Sequence, residues 1–259
     1  MRTANGRQRR MYFFVPPAQI KEQKVTVTGP DAVHITRVLR LRPGDEFTVS
    51  DGRGKGYRVR LSKTGSREIE GIIEAEFSLA AEPPFSLTLV QGVPKGEKME
   101  LIIQKSTELG VKEIIPLLAE RSIVKLAGEK LAQRRLRWQR VAYEAAKQCR
   151  RGAVPAVGTP LSLAEVFRRM PSGAVGIMPW EEERETSFRQ VLLPLKEALP
   201  EAGFFLFIGP EGGFTLREAA LAKENGVVTV SLGRRILRTE TAALTAAAII
   251  LYELGDLGG

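Results

Sequence analysis

Residues 204–220 read FFLFIGPEGGFTLREAA, and their reading decides the fold. Five apolar residues, Phe204 to Ile208, run unbroken into a Gly-Pro-Glu-Gly-Gly turn, and a helical pattern starts behind it. A short continuous apolar run closed by turn residues is the pattern of a strand buried on both faces. Thr215 and Glu218 stand at capping-box spacing, which starts the helix where the turn ends. Strand, glycine turn and helix together are the repeating unit of an α/β protein, and such a turn lies where these proteins bind ligands. The turn lacks the Gly-Lys-Ser/Thr ending of a Walker A loop and is not GxGxxG. Its one charged residue, Glu211, opposes a phosphate but can accept hydrogen bonds from a ribose or face a cation.

The same rhythm extends in both directions. FSLTLVQGV, VKEIIPLLA, GAVGIMPW and VVTVSLG read as further strands. KGEKMELIIQKSTELG reads as a helix stopped by Gly110, followed by the long basic helix EKLAQRRLRWQRVAYEAAKQCRR and the final helix TETAALTAAAIILYEL. Residues 85–259 are therefore expected to form a mostly parallel sheet covered by helices. Residues 1–80 are different. KVTVTG, DEFTVSDG, GYRVRLSK and EIEGIIEAEFSL are short β segments between turns, predicting a small β-barrel or sandwich. One helix is expected over DAVHITRVLRL, residues 31–41, and the Pro-Pro break in AAEPPFS marks a linker.

The chain has 259 residues and a formal net charge of +9. Its first eighty residues hold 15 Lys and Arg against 9 Asp and Glu, which places +6 of that excess in the β-rich part. A basic excess of this size points to a polyanionic partner. Candidate phosphate contacts are Arg7, Arg9 and Arg10 in the N-terminal arm, then Arg37, Arg40 and Arg42, with Arg37 and Arg40 three apart and expected on one helix face. No apolar stretch reaches the ~20 residues of a membrane helix, and no apolar core follows the basic N-terminus as in a signal peptide. A single histidine, His34, and a single cysteine, Cys149, cannot make an ordinary His/Cys zinc site. A cytoplasmic, metal-free protein is expected.

Two other strand ends resemble the first in chemistry. SLGRRILRTETAALTAAA, starting at Ser231, is a strand end, a basic loop and a helix beginning near Thr239 or Thr241, with Glu240 in its first turn. GIMPWEEE brings Trp180, Glu181, Glu182 and Glu183 to the same sheet edge. The three ends together offer glycine backbone, aliphatic side chains, acids and arginines. That mixture suits a neutral-to-cationic, adenosine-like ligand better than a nucleoside triphosphate.

KGEKMELIIQKSTELGVKEIIPL, IGPEGGFTLRE and LGRRILRTETAALTA resemble the signatures of the RsmE-type ribosomal RNA methyltransferases of the SPOUT class, and the resemblance runs over nearly the whole chain. It implies an α/β fold with an N-terminal PUA-like RNA-binding β-barrel, 1–80, and a SPOUT domain, 85–259, tied in a deep trefoil knot. It also implies S-adenosylmethionine as methyl donor, no metal, a homodimer, and methylation of N3 of one uridine, 1498 in the family's 16S ribosomal RNA numbering. By motif, the donor site comprises Gly209, Pro210, Glu211, Gly212 and Gly213 from one loop, and Leu232, Gly233, Ile236, Leu237 and Arg238 from another. A cationic sulfonium donor also explains a turn without a lysine. The family reads EQSGR…P where this chain has KQCRRGAVP, residues 147–155. Gln148, Arg151 and Pro155 match, and the resemblance sets this segment, with Gln148 and Arg151 as RNA contacts, against the substrate. Lys147, Cys149 and Arg150 depart from the pattern.

Uracil N3 carries a proton that must leave. Arg238 is expected to stabilise the developing uridine anion, with water or Glu240 receiving the proton; as a first-turn acid Glu240 equally suits the helix dipole alone. His34 is expected as a partly buried barrel residue, and Cys149 has no step to perform, since N3 methylation needs no covalent adduct. Two other readings stay open: a SPOUT enzyme acting on another RNA site or a ribose 2′-OH, and a non-catalytic RNA-binding assembly factor.

Overall fold

The computed structural model describes residues 11–79, 82–122 and 128–258. The chain divides into two compact units: one up to Glu82 together with Ala146–Ala153, the other Pro83–Ala145 with Val154 onward.

In the first unit β1 (Tyr12–Phe14), β2 (Ile20–Lys21), β3 (Lys24–Thr28), β4 (Glu46–Ser50), β5 (Lys55–Thr64) and β6 (Glu68–Ser78) form one sheet in the order β1-β4-β5-β6-β3-β2. β1 pairs parallel with β4 and every other neighbour is antiparallel. Strand alternation selects the core: Val25 and Val27, Phe47 and Val49, and Tyr57, Val59 and Leu61 are buried, while Arg58 and Arg60 between the last three are exposed. The expected helix is shorter than its sequence pattern. α1 (Gly29–Val33) passes into a π-helical turn, His34–Val38, in which Leu39 N–H donates to His34 O at 2.9 Å. Arg40 then takes a left-handed φ of 55°. Arg37 and Arg40 therefore share no helix face, because the backbone leaves α geometry before Arg40 is reached. His34 is exposed rather than partly buried, its ring 6.1 Å from that of Phe13.

Residues 146–153 are bound into this unit by the Tyr12 hydroxyl, which donates to Arg151 O at 2.6 Å, and by Ser50 Oγ, which donates to Gly152 O at 3.2 Å. Burial pushes the Tyr12 phenol up to about 12.

In the second unit β7 (Leu87–Gly92), β8 (Glu113–Leu117), β9 (Ala156–Val157), β10 (Val175–Pro179), β11 (Phe204–Ile208) and β12 (Val227–Val230) form an all-parallel sheet ordered β12-β10-β11-β7-β8-β9. The helices are α2 (Lys98–Leu109), α3 (Gly128–Cys149, whose last turn belongs to the first unit), α4 (Leu163–Arg169), α5 (Phe188–Leu192), α6 (Leu216–Glu224) and α7 (Thr239–Glu253). β11 shows why the run FFLFI is unbroken. Phe204, Leu206 and Ile208 pack into the core beneath α2, α5 and α7, while Phe205 and Phe207 pack into the opposite core with α4 and α6. Both faces of the strand are covered, so every residue is apolar. Phe207 is fully buried, and truncating it to alanine costs about 3–5 kcal/mol.

The order of connections positions the site. From β7 the chain goes through α2 to β8 on one side, while β11, β10 and β12 lie on the other. The loops leaving β7 and β11 thus diverge to opposite faces of the sheet. Beyond the carboxyl ends of such a pair a crevice opens, the place where open α/β sheets bind ligands.

Candidate functional site

The turn after β11 is closed by Gly213 N–H, which donates to Pro210 O at 2.9 Å, with Gly213 at φ 67°, a conformation that favours glycine. The end of β7 lies directly against it. A Cβ on Gly92 would sit 2.5 Å from Pro210 N and 2.9 Å from Gly209 C, so only glycine permits this approach. Arg121 Nη1 donates to Gly212 O at 2.8 Å from the other side.

Glu211 has a definite task. Its carboxylate accepts from Lys95 N–H at 3.1 and 3.3 Å and from Lys98 Nζ at 3.1 Å. Burial alone would raise its pKa, but its own backbone N–H, together with the bonds from Lys98 and Lys95, outweighs burial and holds it below the usual range. Lys98 is raised, chiefly by its bond to Glu211. The glycine turn has no lysine of its own, yet α2 delivers one to it. Lys98 Nζ also lies 3.6 Å from Glu240 Oε2, an ion-pair distance but too long for a hydrogen bond. Glu240 Oε2 is buried and has no hydrogen bond among the described residues.

α7 begins at Thr239, one of the two starts the sequence offers. Neither Thr239 nor Thr241 is the N-cap; Arg238 holds that position, with φ −64° and ψ 150° and no side-chain cap. Thr239 is the first helical residue, and its hydroxyl turns to the glycine loop, donating to Gly209 O at 2.6 Å. Thr239 Oγ1 itself accepts from Gln91 Nε2 at 2.9 Å, at the end of β7.

The ends of β10 and β12 join from the far side. Trp180 Nε1–H donates to Phe214 O at 3.4 Å, and Ser231 N–H donates to Thr186 O at 2.8 Å. Glu183 accepts from Thr229 Oγ1 at 2.6 Å and from the Glu185 and Thr186 amides; the Thr229 bond is the largest of the effects that bring its pKa down to about 2. Glu181 reaches the glycine turn, where a Cβ on Gly213 would lie 3.2 Å from its Oε1. Glu182 is exposed.

Gly209, Pro210, Glu211, Gly212, Gly213 and Glu240 are thus brought together at the carboxyl ends of β7 and β11. In the loop after β12, Leu232 packs on the core, Leu237 is half-buried, and Gly233 and Arg238 are exposed. Ile236 is 85% exposed, an unusual state for an isoleucine. In the first unit Arg37, Arg40, Arg42 and Gln148 are exposed; Arg7, Arg9 and Arg10 lie outside the described residues. Arg151 corrects its expectation. It is 3% exposed, its guanidinium 2.5 Å from Glu82 Oε2, so it braces the fold and is not free to meet phosphate. Lys147, placed against the substrate by resemblance, is instead paired with Asp31 at 2.5 Å and stands 4.4 Å over the Phe13 ring. Sequence reading missed Gln91, Lys95, Lys98 and Arg121 as site residues; only the polar Gln91 inside the apolar strand LTLVQG carries a local signal.

Fold and site together define an RNA methyltransferase: residues 81–251 match the family model described as an RNA methyltransferase domain, and residues 27–74 match the RNA methyltransferase PUA domain. The chain belongs, more closely, to the ribosomal RNA small subunit methyltransferase E family. It is 34% identical to the Bacillus subtilis member, covering 96% of this chain and 98% of that one, and 36% identical to the Synechocystis member over 91% and 75%. The crystal structure of a ribosomal RNA small subunit methyltransferase E from Neisseria gonorrhoeae, bound to S-adenosyl methionine, superposes with a TM-score of 0.83 at 34% identity, covering 95% of this chain and 98% of that one. A putative methyltransferase from Legionella pneumophila, also in complex with this cofactor, gives 0.77 at 29% identity over 94% and 98%.

Proposed function

We propose that this chain transfers a methyl group from S-adenosylmethionine to N3 of one uridine of 16S ribosomal RNA, in the small ribosomal subunit of the cytoplasm. The observation that carries this reading is the frame at the β7–β11 crevice, where the glycine turn and the first turn of α7 are bonded to each other and to the strand end between them. The residues fit a cationic donor. Glu211 and Glu240 share one ammonium and Glu181 adds a third carboxylate beside Gly213, against the two cations Lys98 and Arg121 at the turn. When bound, S-adenosylmethionine supplies a methyl carbon on a sulfonium whose positive charge disappears on transfer.

The residues of the chain then do four things. Backbone from Gly209, Pro210, Glu211, Gly212 and Gly213 and from Leu232, Gly233 and Leu237 holds the adenosine, with the side chains of Leu232, Ile236 and Leu237 against the base. Arg238, exposed at the α7 N-cap, stabilises negative charge developing on uracil O2 or O4. Glu240 or a water takes the N3 proton as the N3–carbon bond forms. Arg37, Arg40, Arg42 and Gln148 meet the RNA. Catalysis is mainly positioning and electrostatics. The apolar sequence of α7, with Leu244 and Ala248 only partly covered, supports a homodimer burying that helix. The family resemblance also implies a knotted crossing in this domain.

Mapping N3-methyluridine in 16S ribosomal RNA from a strain lacking the gene, with and without the gene restored, tests the function. The modification should vanish and return; its persistence in the deletion strain refutes the assignment. With purified protein, Arg238→Lys and Glu240→Gln should each lower the methylation rate across pH, and unchanged rates in both remove these two from the mechanism.

A further inference from the structure

Gln91 stands at the carboxyl end of β7, 0% exposed, in a strand otherwise built to pack. Its Nε2 donates twice, to Gly92 O at 2.9 Å and to Thr239 Oγ1 at 2.9 Å. A carbonyl oxygen can only accept, so the bond to Gly92 O fixes which end of the amide carries the nitrogen. That in turn fixes Thr239. Its hydroxyl accepts from Gln91 and has one proton left, which goes to Gly209 O at 2.6 Å. The result is a one-way relay from the β7 end, through the first residue of α7, into the first residue of the glycine turn. Its direction leaves Gln91 Oε1 buried with no hydrogen bond among the described residues. A buried unsatisfied acceptor is destabilising. Packing alone would be better served by leucine or methionine, so the amide is there for its geometry.

We infer that Gln91 and Thr239 are positioning residues of the methyl-donor site, acting as a unit that sets the spacing between the glycine turn and the Arg238–Glu240 end of α7. The inference rests on the donor-site reading proposed above. Neither side chain needs to touch the donor: Gln91 is sealed, and Thr239 is 5% exposed. Their effect runs through Gly209, whose carbonyl they hold, and through the residues flanking Thr239 in the chain. The two donor loops come from strand ends separated by β10 in the sheet, and among the described residues the Thr239–Gly209 bond joins them directly.

The test is calorimetric titration of S-adenosylmethionine into the full chain and its Thr239→Val, Thr239→Ser, Gln91→Leu and Thr239→Val/Gln91→Leu variants, each with its thermal midpoint measured alone. Thr239→Val keeps the shape and deletes the hydroxyl; it should weaken donor binding roughly tenfold, which corresponds to about 1.4 kcal/mol. Thr239→Ser should restore affinity to within about twofold of the parent, and the double variant should lose little more than either single one, as expected of one unit. A fall in thermal midpoint with donor Kd unchanged would make the relay merely structural and overturn the inference. So would equal loss in the Ser and Val variants, or fully additive losses. If the parent chain itself binds no donor, the donor-site reading fails first, and that outcome is distinct from a parent that binds normally with indifferent variants.

Discussion

Gly92→Ala is the sharpest perturbation of the site, because it adds one methyl group at a place where the nearest neighbours are main chain and the rigid ring of Pro210. Gly92 ends β7 and pairs with Leu117 in the sheet, so alanine has no difficulty with the backbone conformation. The difficulty is space. Its Cβ would lie 2.5 Å from Pro210 N, 2.6 Å from Pro210 Cδ and 2.9 Å from Gly209 C, against 3.4–4 Å for an ordinary contact. No flexible side-chain tip is there to swing aside. Either the Gly209–Gly213 turn moves outward by about 1 Å or the central strand moves, and β7 is fully buried on both faces. The turn is the softer partner. Overpacking of this kind costs about 1–3 kcal/mol, equivalent to a fall of roughly 2–4 °C in thermal midpoint per kcal/mol for a chain of this size. The functional loss should be larger. A displacement of about 1 Å at a positioning loop costs on the order of 100-fold in rate. Differential scanning calorimetry and a methylation assay on purified small subunits measure the two quantities on one preparation. A variant that loses stability yet keeps its donor Kd and rate would show that the glycine turn does not hold the donor. A variant unchanged in both would show that the close approach of β7 is relieved elsewhere.

Two further outcomes follow from charges the structure places. Glu183 is held near 2, well under the ordinary carboxylate range, chiefly by the Thr229 hydroxyl, so it contributes stability that is complete above about 4.5 and is lost as pH falls toward 2. Urea midpoints of the parent and Glu183→Gln should therefore differ at pH 6, draw closer at pH 3 and converge only below about pH 2, and a difference independent of pH would rule out this origin. Arg37 and Arg42 are both exposed, so Arg37→Ala/Arg42→Ala should leave the thermal midpoint unchanged while reducing the slope of log affinity for RNA against log salt by roughly 1.5, and an unaltered slope would remove both from the interface.

What was legible in the sequence was whatever its local chemistry encodes. FFLFI had to be a doubly buried strand, and Thr215 and Glu218 form the expected capping box, with both reciprocal hydrogen bonds present. Gly110 takes φ 110° and ends α2. An equally good capping box, Ser162 with Glu165 at the head of α4, was present in SLAEVFRRM but was hidden by the short length of its helix, seven residues. Where distant partners decide, local reading fails. Arg151 looks like a surface base until Glu82, 69 residues away, closes on it. Lys147 looks like a substrate-facing departure until Asp31 and Phe13 take it up. The π-helical turn over His34–Val38 has the spacing of an α-helix in sequence, and only the hydrogen bond from Leu39 to His34 separates them.

The same limit applies to the glycine turn, with a physical consequence. Read alone, GPEGG is a phosphate loop with the wrong charge, and its glutamate is a puzzle. In the fold, Glu211 receives Lys98 from 113 residues earlier in the chain, and the same ammonium approaches Glu240. A lysine within the turn itself would add a positive charge to the site proposed for a cationic donor. Placed on α2, Lys98 is hydrogen-bonded to Glu211 and stands 3.6 Å from Glu240, so it orders the first acid and only approaches the second. The backbone amide of Lys95 fixes Glu211 from a second direction, so this carboxylate is not free to swing toward a ligand. Glu211 therefore serves as a bracket between the β7 and β11 loops, whereas the buried Oε2 of Glu240 has no hydrogen bond among the described residues. The two similar carboxylates thus differ in hydrogen bonding: the saturated one holds structure, and the unsaturated one is the acid to which the proposed mechanism assigns the proton.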